Sequence, residues 1–510
     1  MTDLLGPTLR AGPGRLASAA WPLRLLAMGA LGALVALGQM PFALPFVTLA
    51  ALVAVFGLVA HGHGGFWTGW ALGAGYFALT LRWIVEPFLV QPEIHGWMAP
   101  FALLLSAGGW ALYWGVAFWA TRRLGLGLLG LVALWTAGEV LRSHLFTGFP
   151  WALIGHVWIG TPLAQAAAVI GPHGLTLLTL AFAALVARVG LRPLLVLPAA
   201  ALALAWVALD PGPAEAPDRT APVLRVVQPN IPQREKWDPA RQPEHIERLL
   251  RLTAGEDRVD LVVWPETVLP FLIEDAGPTL AAAAGLTGGA PIALGAARLE
   301  QGAERDRYFN GLALTDGAGG VVDFYDKAHL VPFGEFLPFN GLMARLGLRG
   351  LAARGDGFSA GTGPALIEVP GIGLVRPLIC YEGIFAEEMG TPERPRLLLL
   401  ITNDSWFGGG AGPEQHLAQA RLRAIEQGLP MVRSAVTGIS AVIDAKGRVL
   451  ASVPLNEAGV LEAPLPAALP VTVYAALGDA PVHLVLALLV LGAIWQRRKV
   501  RGVDPGGRAP

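Results

Sequence analysis

Three segments in the second half of the chain carry residues that could act together in nucleophilic catalysis. Glu266 follows the apolar run Val262–Pro265, Cys380 follows the strand-like run Leu374–Ile379, and Lys327 lies between them in the chain. A free cysteine has a pKa of about 8.5 and needs a base or a neighbouring cation to become a thiolate at neutral pH. Glu266 could take the thiol proton, and the Lys327 ammonium could stabilise an oxyanion. These residue types predict covalent catalysis by a cysteine nucleophile.

Further polar residues flank the predicted nucleophile and lysine. A proline and a glycine precede Glu335 and make a turn that could hold its carboxylate close to the lysine. Glu382 comes two residues after Cys380. His329 lies in an apolar run, where a histidine is more typical of packing than of catalysis, so we leave it out of the predicted site. Cys380 is the single cysteine of the chain, so it cannot form an internal disulfide.

The composition predicts that much of the chain lies in lipid. Of the 510 residues, 54% are hydrophobic and only 15% are charged, whereas soluble domains have about 25% charged residues. The net charge of -1 provides no basic field that would attract nucleic acid. We therefore expect a membrane bilayer, and no nucleic acid, among the partners.

Eight apolar runs approach the length of about 20 residues that crosses a hydrocarbon core. Seven of them precede the middle region and one follows it, which predicts a polytopic α-helical membrane bundle of about eight transmembrane helices. The fifth is the weakest because Glu139 and Arg142 lie at its end. The runs are 23–39, 42–60, 66–85, 98–120, 124–141, 163–187, 193–209 and 479–496.

Clusters of Arg and Lys predict the orientation, because cationic residues of short loops stay on the cytoplasmic side. All of them fall inside if the amino terminus is inside. The first run lacks a convincing cleavage site and is expected to be an anchor. Seven crossings then place the region after Asp210 outside and both termini in the cytoplasm. The clusters are Arg10, Arg15 and Arg24; Arg122 and Arg123; Arg188 and Arg192; and Arg497, Arg498, Lys499 and Arg501.

The middle of the chain has the pattern of a folded aqueous domain. Continuously apolar, β-branched runs predict strands buried on both faces, and the amphipathic stretches between them predict helices, which together favour a layered α/β architecture. The expected organisation is a membrane domain at 1–210, a linker at 211–220, an outer domain at 221–465, and a last span with a basic tail at 466–510. The strands are Val223–Val227, Leu261–Val263, Pro291–Leu294, Leu397–Thr402 and Ser440–Ile443, and the helices are Pro243–Thr253 and Glu414–Gln427.

The three reactive segments together resemble the carbon–nitrogen hydrolase (nitrilase) superfamily. Its members use a Glu-Lys-Cys triad in an α-β-β-α sandwich, and Glu266, Lys327 and Cys380 occur here in the same order. The likeness continues in Asn403–Gly408 and Gln415–Glu426, segments that in the family support the site and the sandwich core. The resemblance implies this fold and triad, with no metal ion and no cofactor.

Within that superfamily, the spans around the domain look like the membrane-embedded branch, the apolipoprotein N-acyltransferases. Matching motifs are Leu145–Trp151, Gln228–Gln233 with Lys236 and Trp237, and Leu330–Glu335. Two positions depart from the pattern: Gly311 stands where a serine is common, and Thr437 stands where an asparagine is common. The likeness covers essentially the whole chain.

This resemblance implies a bacterial inner-membrane acyltransferase whose catalytic domain faces the periplasm. A phospholipid would donate a fatty acyl group through a Cys380 thioester, and the amine of a diacylglyceryl-modified apolipoprotein would accept it. Glu335 and Glu382 would support the triad, and Trp237 and Tyr381 would shape the substrate site.

Two other functions remain open on the sequence. A membrane-tethered amidase or nitrilase would use the same triad and turn over substrate without lipid. A transporter or scaffold would bind without catalysis, but the ionisable residues of the membrane part, such as Arg82 and Glu139, are placed near span ends, where a transport path does not need them.

Overall fold

The computed structural model describes residues 21–190, 196–214, 218, 220–255, 257–302, 305–338 and 357–502. Arg10, Arg15 and Arg192 of the predicted cationic clusters, and part of the predicted linker, lie outside these residues.

A helix lies within or close to each of the eight predicted apolar runs. Seven precede the middle region and α11 follows it, after the short turn Val473–Leu477. Helices α1 and α3 approach each other closely at Gly32. A side-chain carbon at that position would stand 1.9 Å from the main-chain oxygen of Leu72 in α3. The helices are α1 (Trp21–Ala36), α2 (Pro45–Ala60), α3 (Phe66–Thr80), α4 (Ala99–Leu124), α5 (Gly127–His144), α6 (Ala167–Val189), α7 (Val196–Ala208) and α11 (Ala480–Gly502).

Three described segments are long and apolar enough to cross a membrane: Pro92–Leu124, Pro162–Val189 and Ala480–Arg498. Other apolar helices are shorter, with 16 residues in α1 and in α2 and 13 in α7. Sixteen residues extend about 24 Å at about 1.5 Å per residue, which is less than a hydrocarbon core of about 30 Å. The count of eight crossings therefore stays a prediction.

The middle region contains two six-stranded sheets. The first has the order β12-β1-β2-β3-β4-β5 and the second the order β11-β10-β9-β8-β7-β6. Their centres are parallel, β1 with β2 and β3, and β7 with β8 and β9, and the outer pairs are antiparallel. The strands are β1 (Val223–Gln228), β2 (Leu261–Val263), β3 (Ile292–Glu300), β4 (Arg307–Thr315), β5 (Val321–Asp326), β6 (Ile367–Val369), β7 (Gly373–Ile379), β8 (Leu397–Thr402), β9 (Met431–Ala435), β10 (Ser440–Ile443), β11 (Val449–Val453) and β12 (Gly459–Pro464).

The two sheets pack face to face, and helices cover their outer faces. Val226 and Val263 of the first sheet share one buried cluster with Val375 and Leu399 of the second. Helices α8 (Gln242–Thr253) and α9 (Gly277–Leu286) pack on the first sheet, and α10 (Ala411–Gln427) packs on the second. This is the expected α-β-β-α sandwich. The predicted strands and both predicted helices are confirmed, with Pro291–Leu294 extended to become β3.

Buried polar side chains join the sandwich to the membrane part. The Trp151 indole N–H donates to Gln415 Oε1 (2.6 Å), and Gln415 Nε2 donates to the main-chain oxygens of Met40 (2.9 Å) and Thr80 (3.1 Å). Since Gln415 lies near the start of α10, these bonds join the sandwich to the loop after α1, to the end of α3 and to the loop after α5.

A fully buried ion pair supports the loop that contains Trp151. Arg142 contacts Glu139 at 2.7 Å within α5, and both side chains are 0% exposed. Arg142 also donates to the main-chain oxygens of Phe149 and Trp151. Glu139 and Arg142, which make the fifth apolar run the weakest in the sequence, thus form a buried ion pair. Arg142 also supplies hydrogen bonds to carbonyl groups of the loop.

Candidate active site

Cys380 lies at a sharp corner where β7 ends. It has a left-handed backbone conformation (φ 51°) and begins a short 3₁₀ turn, Cys380–Ile384. A non-glycine residue with positive φ is uncommon and often marks a functional position. At this corner the thiol interacts electrostatically with Glu266 and Lys327, which follow β2 and β5 of the first sheet.

Glu266 follows β2, and both of its carboxylate oxygens are held. Asn310 Nδ2 donates to Oε1 (2.7 Å), and the main-chain N–H of Asn403 donates to Oε2 (2.7 Å). The backbone there lies against β3, where a side-chain carbon on Gly295 would stand 2.4 Å from the Glu266 Cα. Only glycine permits this approach, so the carboxylate is fixed by both its main chain and its hydrogen bonds.

Lys327 follows β5 and lies between two carboxylates. Its Nζ is 2.9 Å from Glu335 and 3.7 Å from Glu266 Oε1, and the side chain is 1% exposed. Burial alone would lower the pKa of Lys327, but Glu335 and Glu266 raise it above its usual range. The two carboxylates therefore favour the ammonium form of Lys327, and the contact with Glu335 is the one that its predicted supporting role requires.

The Cys380 thiol is protonated at rest. Burial raises its pKa and the Glu266 carboxylate raises it further, while Lys327 and a hydrogen bond to Thr402 act in the opposite direction. The residue is 7% exposed, and Glu266 is 5% exposed. The three predicted catalytic groups therefore interact in one enclosed site, in which the thiol needs a base before it can attack.

Glu382 connects the lysine segment to the cysteine corner. One oxygen accepts hydrogen bonds from the Tyr325 hydroxyl (2.7 Å) and from the main-chain N–H groups of Ala328 (2.8 Å) and His329 (3.2 Å). The other accepts the N–H of Ile379 (2.8 Å). Burial raises the pKa of Glu382, and the hydrogen bonds from Tyr325 and Ile379 work against that rise. The residue positions both segments, whereas no contact places it on the reacting atoms.

The two predicted substrate-binding residues lie on different sides of the site. Tyr381 follows Cys380, and its hydroxyl donates to the main-chain oxygen of Gly148 in the membrane part (3.0 Å). Trp237 is 42% exposed on the loop after β1. Its ring stands 5.5 Å from the ammonium of the neighbouring Lys236. A half-exposed aromatic ring at the rim suits contact with an apolar substrate.

His329, which the sequence analysis leaves out, is a packed residue. Its ring stacks on Phe385 with centroids 3.9 Å apart, and its Nδ1 lies 2.6 Å from Glu388 Oε1. These contacts turn the ring towards the second sheet.

Sequence reasoning missed several residues that hold the site. Asn310 Nδ2 reaches Glu335 Oε1 (3.0 Å) as well as Glu266, so one amide aligns two carboxylates. Lys236 Nζ donates to Thr267 Oγ1 (2.9 Å) beside Glu266. The sequence shows Lys236 next to Trp237. The contacts of Asn310 with the two carboxylates, in contrast, depend on the register of β4.

A second buried network lies beneath Cys380. His416 Nδ1 is 2.9 Å from Asp404 Oδ1, and His416 Nε2 is 3.2 Å from the main-chain oxygen of Cys380. Burial alone would raise the pKa of Asp404, but Arg433 and His416 lower it well below its usual range. The Trp151 ring lies 5.7 Å from the His416 ring, so the membrane part also supports the corner from below.

Local packing accounts for one of the two departures from the family pattern. A side-chain carbon at Gly311 would stand 2.0 Å from the Phe324 ring, so the ring of Phe324 occupies the space that a serine would need. Thr437 forms a hydroxyl contact of 2.9 Å with Ser405, which links the β9–β10 turn to the segment after β8.

Comparison with known families matches both parts of the chain. Residues 223–470 match the carbon–nitrogen hydrolase family, and residues 31–185 match the apolipoprotein N-acyltransferase N-terminal domain. Among solved structures, similarity extends to a CN-hydrolase superfamily protein from Xanthomonas campestris, with TM-score 0.35 and 22% identity over 48% of this chain and 91% of that one. An amidase from Nesterenkonia sp. AN1 matches with TM-score 0.36 and 18% identity over 53% of this chain and 98% of that one.

Curated relatives match over nearly the full length. An apolipoprotein N-acyltransferase from Bradyrhizobium diazoefficiens is 39% identical over 94% of this chain and 95% of its own. Those from Rhizobium rhizogenes and Caulobacter vibrioides are 39% and 36% identical and cover 83% and 85% of this chain and 86% of their own lengths.

Proposed function

Because this chain belongs to the apolipoprotein N-acyltransferase family, we propose that it moves a fatty acyl group from a membrane phospholipid to the amino terminus of a lipoprotein. The acceptor is the free α-amine of a diacylglyceryl-cysteine. The observation that carries the proposal is the convergence of Glu266, Lys327 and Cys380 in one enclosed site next to the membrane part.

In the first half-reaction, Glu266 takes the proton of the Cys380 thiol, and the sulfur attacks the ester carbonyl carbon of the phospholipid. Lys327 stabilises the oxyanion that forms on the carbonyl oxygen. The carbon–oxygen ester bond then breaks, and the proton on Glu266 passes to the departing glycerol oxygen. The products are a thioester on Cys380 and a lysophospholipid.

In the second half-reaction, the α-amine of the acceptor attacks the thioester carbon and Glu266 takes a proton from its nitrogen. Lys327 again stabilises the oxyanion. The carbon–sulfur bond breaks, the sulfur regains a proton from Glu266, and an amide forms. Donor and acceptor thus react in turn, in a ping-pong sequence without metal or cofactor.

Exclusion of water supports transfer over hydrolysis. The thiol and the base are almost fully enclosed, and the corner carrying Cys380 rests on the membrane loop through Tyr381. Substrates held by their acyl chains in the bilayer can reach such a site while bulk water is kept out. On this proposal the membrane helices form part of the active site.

The proposed location is a bacterial inner membrane with the 221–465 domain on the periplasmic side and both termini in the cytoplasm. The described cationic residues that support it include Arg122 and Arg123 at the end of α4 and Arg497 and Arg498 near the end of α11. With a membrane domain at 1–210 and a final span within 466–510, the chain crosses the bilayer eight times.

Mass spectrometry of the purified full-length protein tests the function. Incubation with phospholipid is expected to add one acyl mass to Cys380, and a lipopeptide with a free amino terminus is expected to remove it as an amide. Cys380→Ala should show neither step. A membrane-tethered amidase would instead cleave small amides without lipid, and a transporter or scaffold would give no adduct, so either result contradicts the proposal.

A further inference from the structure

Lys236 is a buried cation that lacks an acidic partner in the described part of the chain. Its side chain is 3% exposed. The ammonium donates to Thr267 Oγ1 (2.9 Å) and contacts the main-chain oxygen of Glu266 (3.5 Å), both of them neutral. Among the described residues, no carboxylate oxygen lies within the 4.0 Å of a salt bridge. By contrast Lys327, equally buried, contacts two carboxylates.

A buried charge without a counter-ion destabilises the fold. Burial lowers the pKa of Lys236 to about 8, while the titratable groups that face it, Glu266 and Cys380, raise it. Most of the lysine is therefore still charged at neutral pH. A group kept at a cost to stability inside a reaction site is typical of a functional role.

The loop that carries Lys236 connects the membrane part to the catalytic base. Arg234 donates to the main-chain oxygens of Leu89 and Val90 (3.4 and 3.3 Å). The membrane segment that follows them has exposed apolar side chains, including Trp97 at 68%. The loop thus contacts both the membrane part and the main chain of Glu266.

The charges of the site require another cation when a phospholipid binds. Glu266 and Glu335 carry two negative charges, and Lys327 lies between them with one positive charge. A phosphodiester brings a further negative charge, which the carboxylates would repel. Lys236 Nζ lies 3.5 Å from the main-chain oxygen of Glu266, and its charge interacts with both Glu266 and Cys380. The ammonium therefore lies beside the two groups that would meet the ester, and a glycerophospholipid carries its phosphate only a few bonds from that ester.

We propose that Lys236 binds the phosphodiester of the acyl donor while the donor's ester carbonyl lies against Cys380. This subsite deepens the proposed acyltransferase function and rests on it. Lys236 is as enclosed as Cys380 and Glu266, so the ammonium belongs to the same buried site as the two groups that would meet the ester. The ligand is a phosphate group carried by a lipid rather than free phosphate.

Single-turnover acylation of Cys380 with two donors tests the subsite. One donor is phosphatidylglycerol, and the other is p-nitrophenyl palmitate, an acyl ester without phosphate. We compare the full-length wild type with Lys236→Met and Lys236→Arg, and use Lys446→Met as a control because the Lys446 ammonium donates to the main-chain oxygen of Pro211, outside the proposed site. Tryptophan fluorescence melting checks that each variant is folded.

The expected result is that Lys236→Met loses at least about tenfold more rate with phosphatidylglycerol than with the neutral ester, since charge-assisted bonds to phosphate are strong. Lys236→Arg and Lys446→Met should keep most of the phosphatidylglycerol rate. The wild type could also react with phosphatidylglycerol and not with p-nitrophenyl palmitate. That result supports a phosphate requirement if Lys236→Arg keeps the phosphatidylglycerol rate that Lys236→Met loses.

Equal loss with both donors, or no loss with either, would overturn the phosphate assignment. Inorganic phosphate tests the source of the ligand: competition at a concentration equal to that of the lipid overturns the lipid assignment, and no competition supports it. If the wild type forms no adduct with either donor, the proposed function itself is wrong, and the subsite with it.

Discussion

The hydroxyl of Tyr381 donates a hydrogen bond to the main-chain oxygen of Gly148 at 3.0 Å. Tyr381 is the residue directly after the proposed nucleophile, and Gly148 belongs to the membrane loop that the Glu139–Arg142 pair supports. A single bond thus links the geometry of the cysteine corner to a loop between membrane helices.

Tyr381→Phe removes this bond and leaves a buried carbonyl without its donor. We expect the free energy of unfolding to fall by about 1 kcal/mol. The single-turnover acylation rate should fall more than tenfold, because the left-handed corner at Cys380 loses support. Quench-flow mass spectrometry of the adduct measures the rate. Tyr308→Phe, on the exposed end of β4, is the control, and an unchanged rate in Tyr381→Phe contradicts the coupling.

Asn310→Asp replaces a donor shared by Glu266 and Glu335 with an acceptor of the same shape. Three carboxyl groups would then meet at one point and raise one another's pKa values. A smaller fraction of Glu266 should then be unprotonated and able to take the thiol proton at neutral pH. We expect acylation to drop by about a hundredfold, or roughly 2.7 kcal/mol of activation free energy. Asn456→Asp, on an exposed turn, should retain full activity; wild-type activity in Asn310→Asp would contradict a role for the amide.

Alkylation of Cys380 by iodoacetamide across pH reports its protonation. Because burial and Glu266 raise the pKa of this thiol, the midpoint of the rate should lie above the value of about 8.5 for a free cysteine. Glu266→Gln should move the midpoint down, and Lys327→Met should move it up, since Lys327 lowers that pKa. Shifts in the same direction for both variants would contradict the described electrostatics.

Lys236→Met is expected to stabilise the fold at pH 7. The pKa of this lysine is about 8 when folded instead of 10.5, so between these values the unfolded chain holds more protons and the wild type gains stability as pH rises. Below about pH 8 the buried charge costs about 3 kcal/mol. The variant should melt at a higher temperature than the wild type at pH 7, and the difference should shrink as the pH rises towards 10.5. A lower melting temperature of the variant at pH 7 would contradict this prediction.

The sequence predicted those parts of the sandwich whose strands are continuously apolar. Leu261–Val263, Leu397–Thr402 and Ser440–Ile443 are strands with the predicted bounds, because burial on both faces leaves an unbroken apolar run. β5 (Val321–Asp326) was not predicted, since three of its residues are exposed and its pattern is mixed. The interior strand β9 (Met431–Ala435) was also not predicted, because Arg433 and Ser434 interrupt its apolar run, so patterning finds strands that are apolar throughout rather than all strands at the centre of a sheet.

The supporting groups of the site could not be found in the same way. Asn310 and Glu266 are 44 positions apart and meet only through the register of β3 with β4. The burial of Lys236 likewise follows from how its loop folds over Glu266. Side chains at strand ends can be read from the chain, but contacts that depend on register or loop path need coordinates.

The bonds of Gln415 limit how substrates can enter. One side chain at the start of α10 connects to Trp151, Met40 and Thr80 in separate parts of the membrane region. Rotation of the sandwich on the bundle would break all three contacts at once and leave buried polar groups without hydrogen-bond partners. These three contacts therefore oppose rotation between the two parts, so substrate entry that leaves them intact costs less free energy than entry by such a rotation.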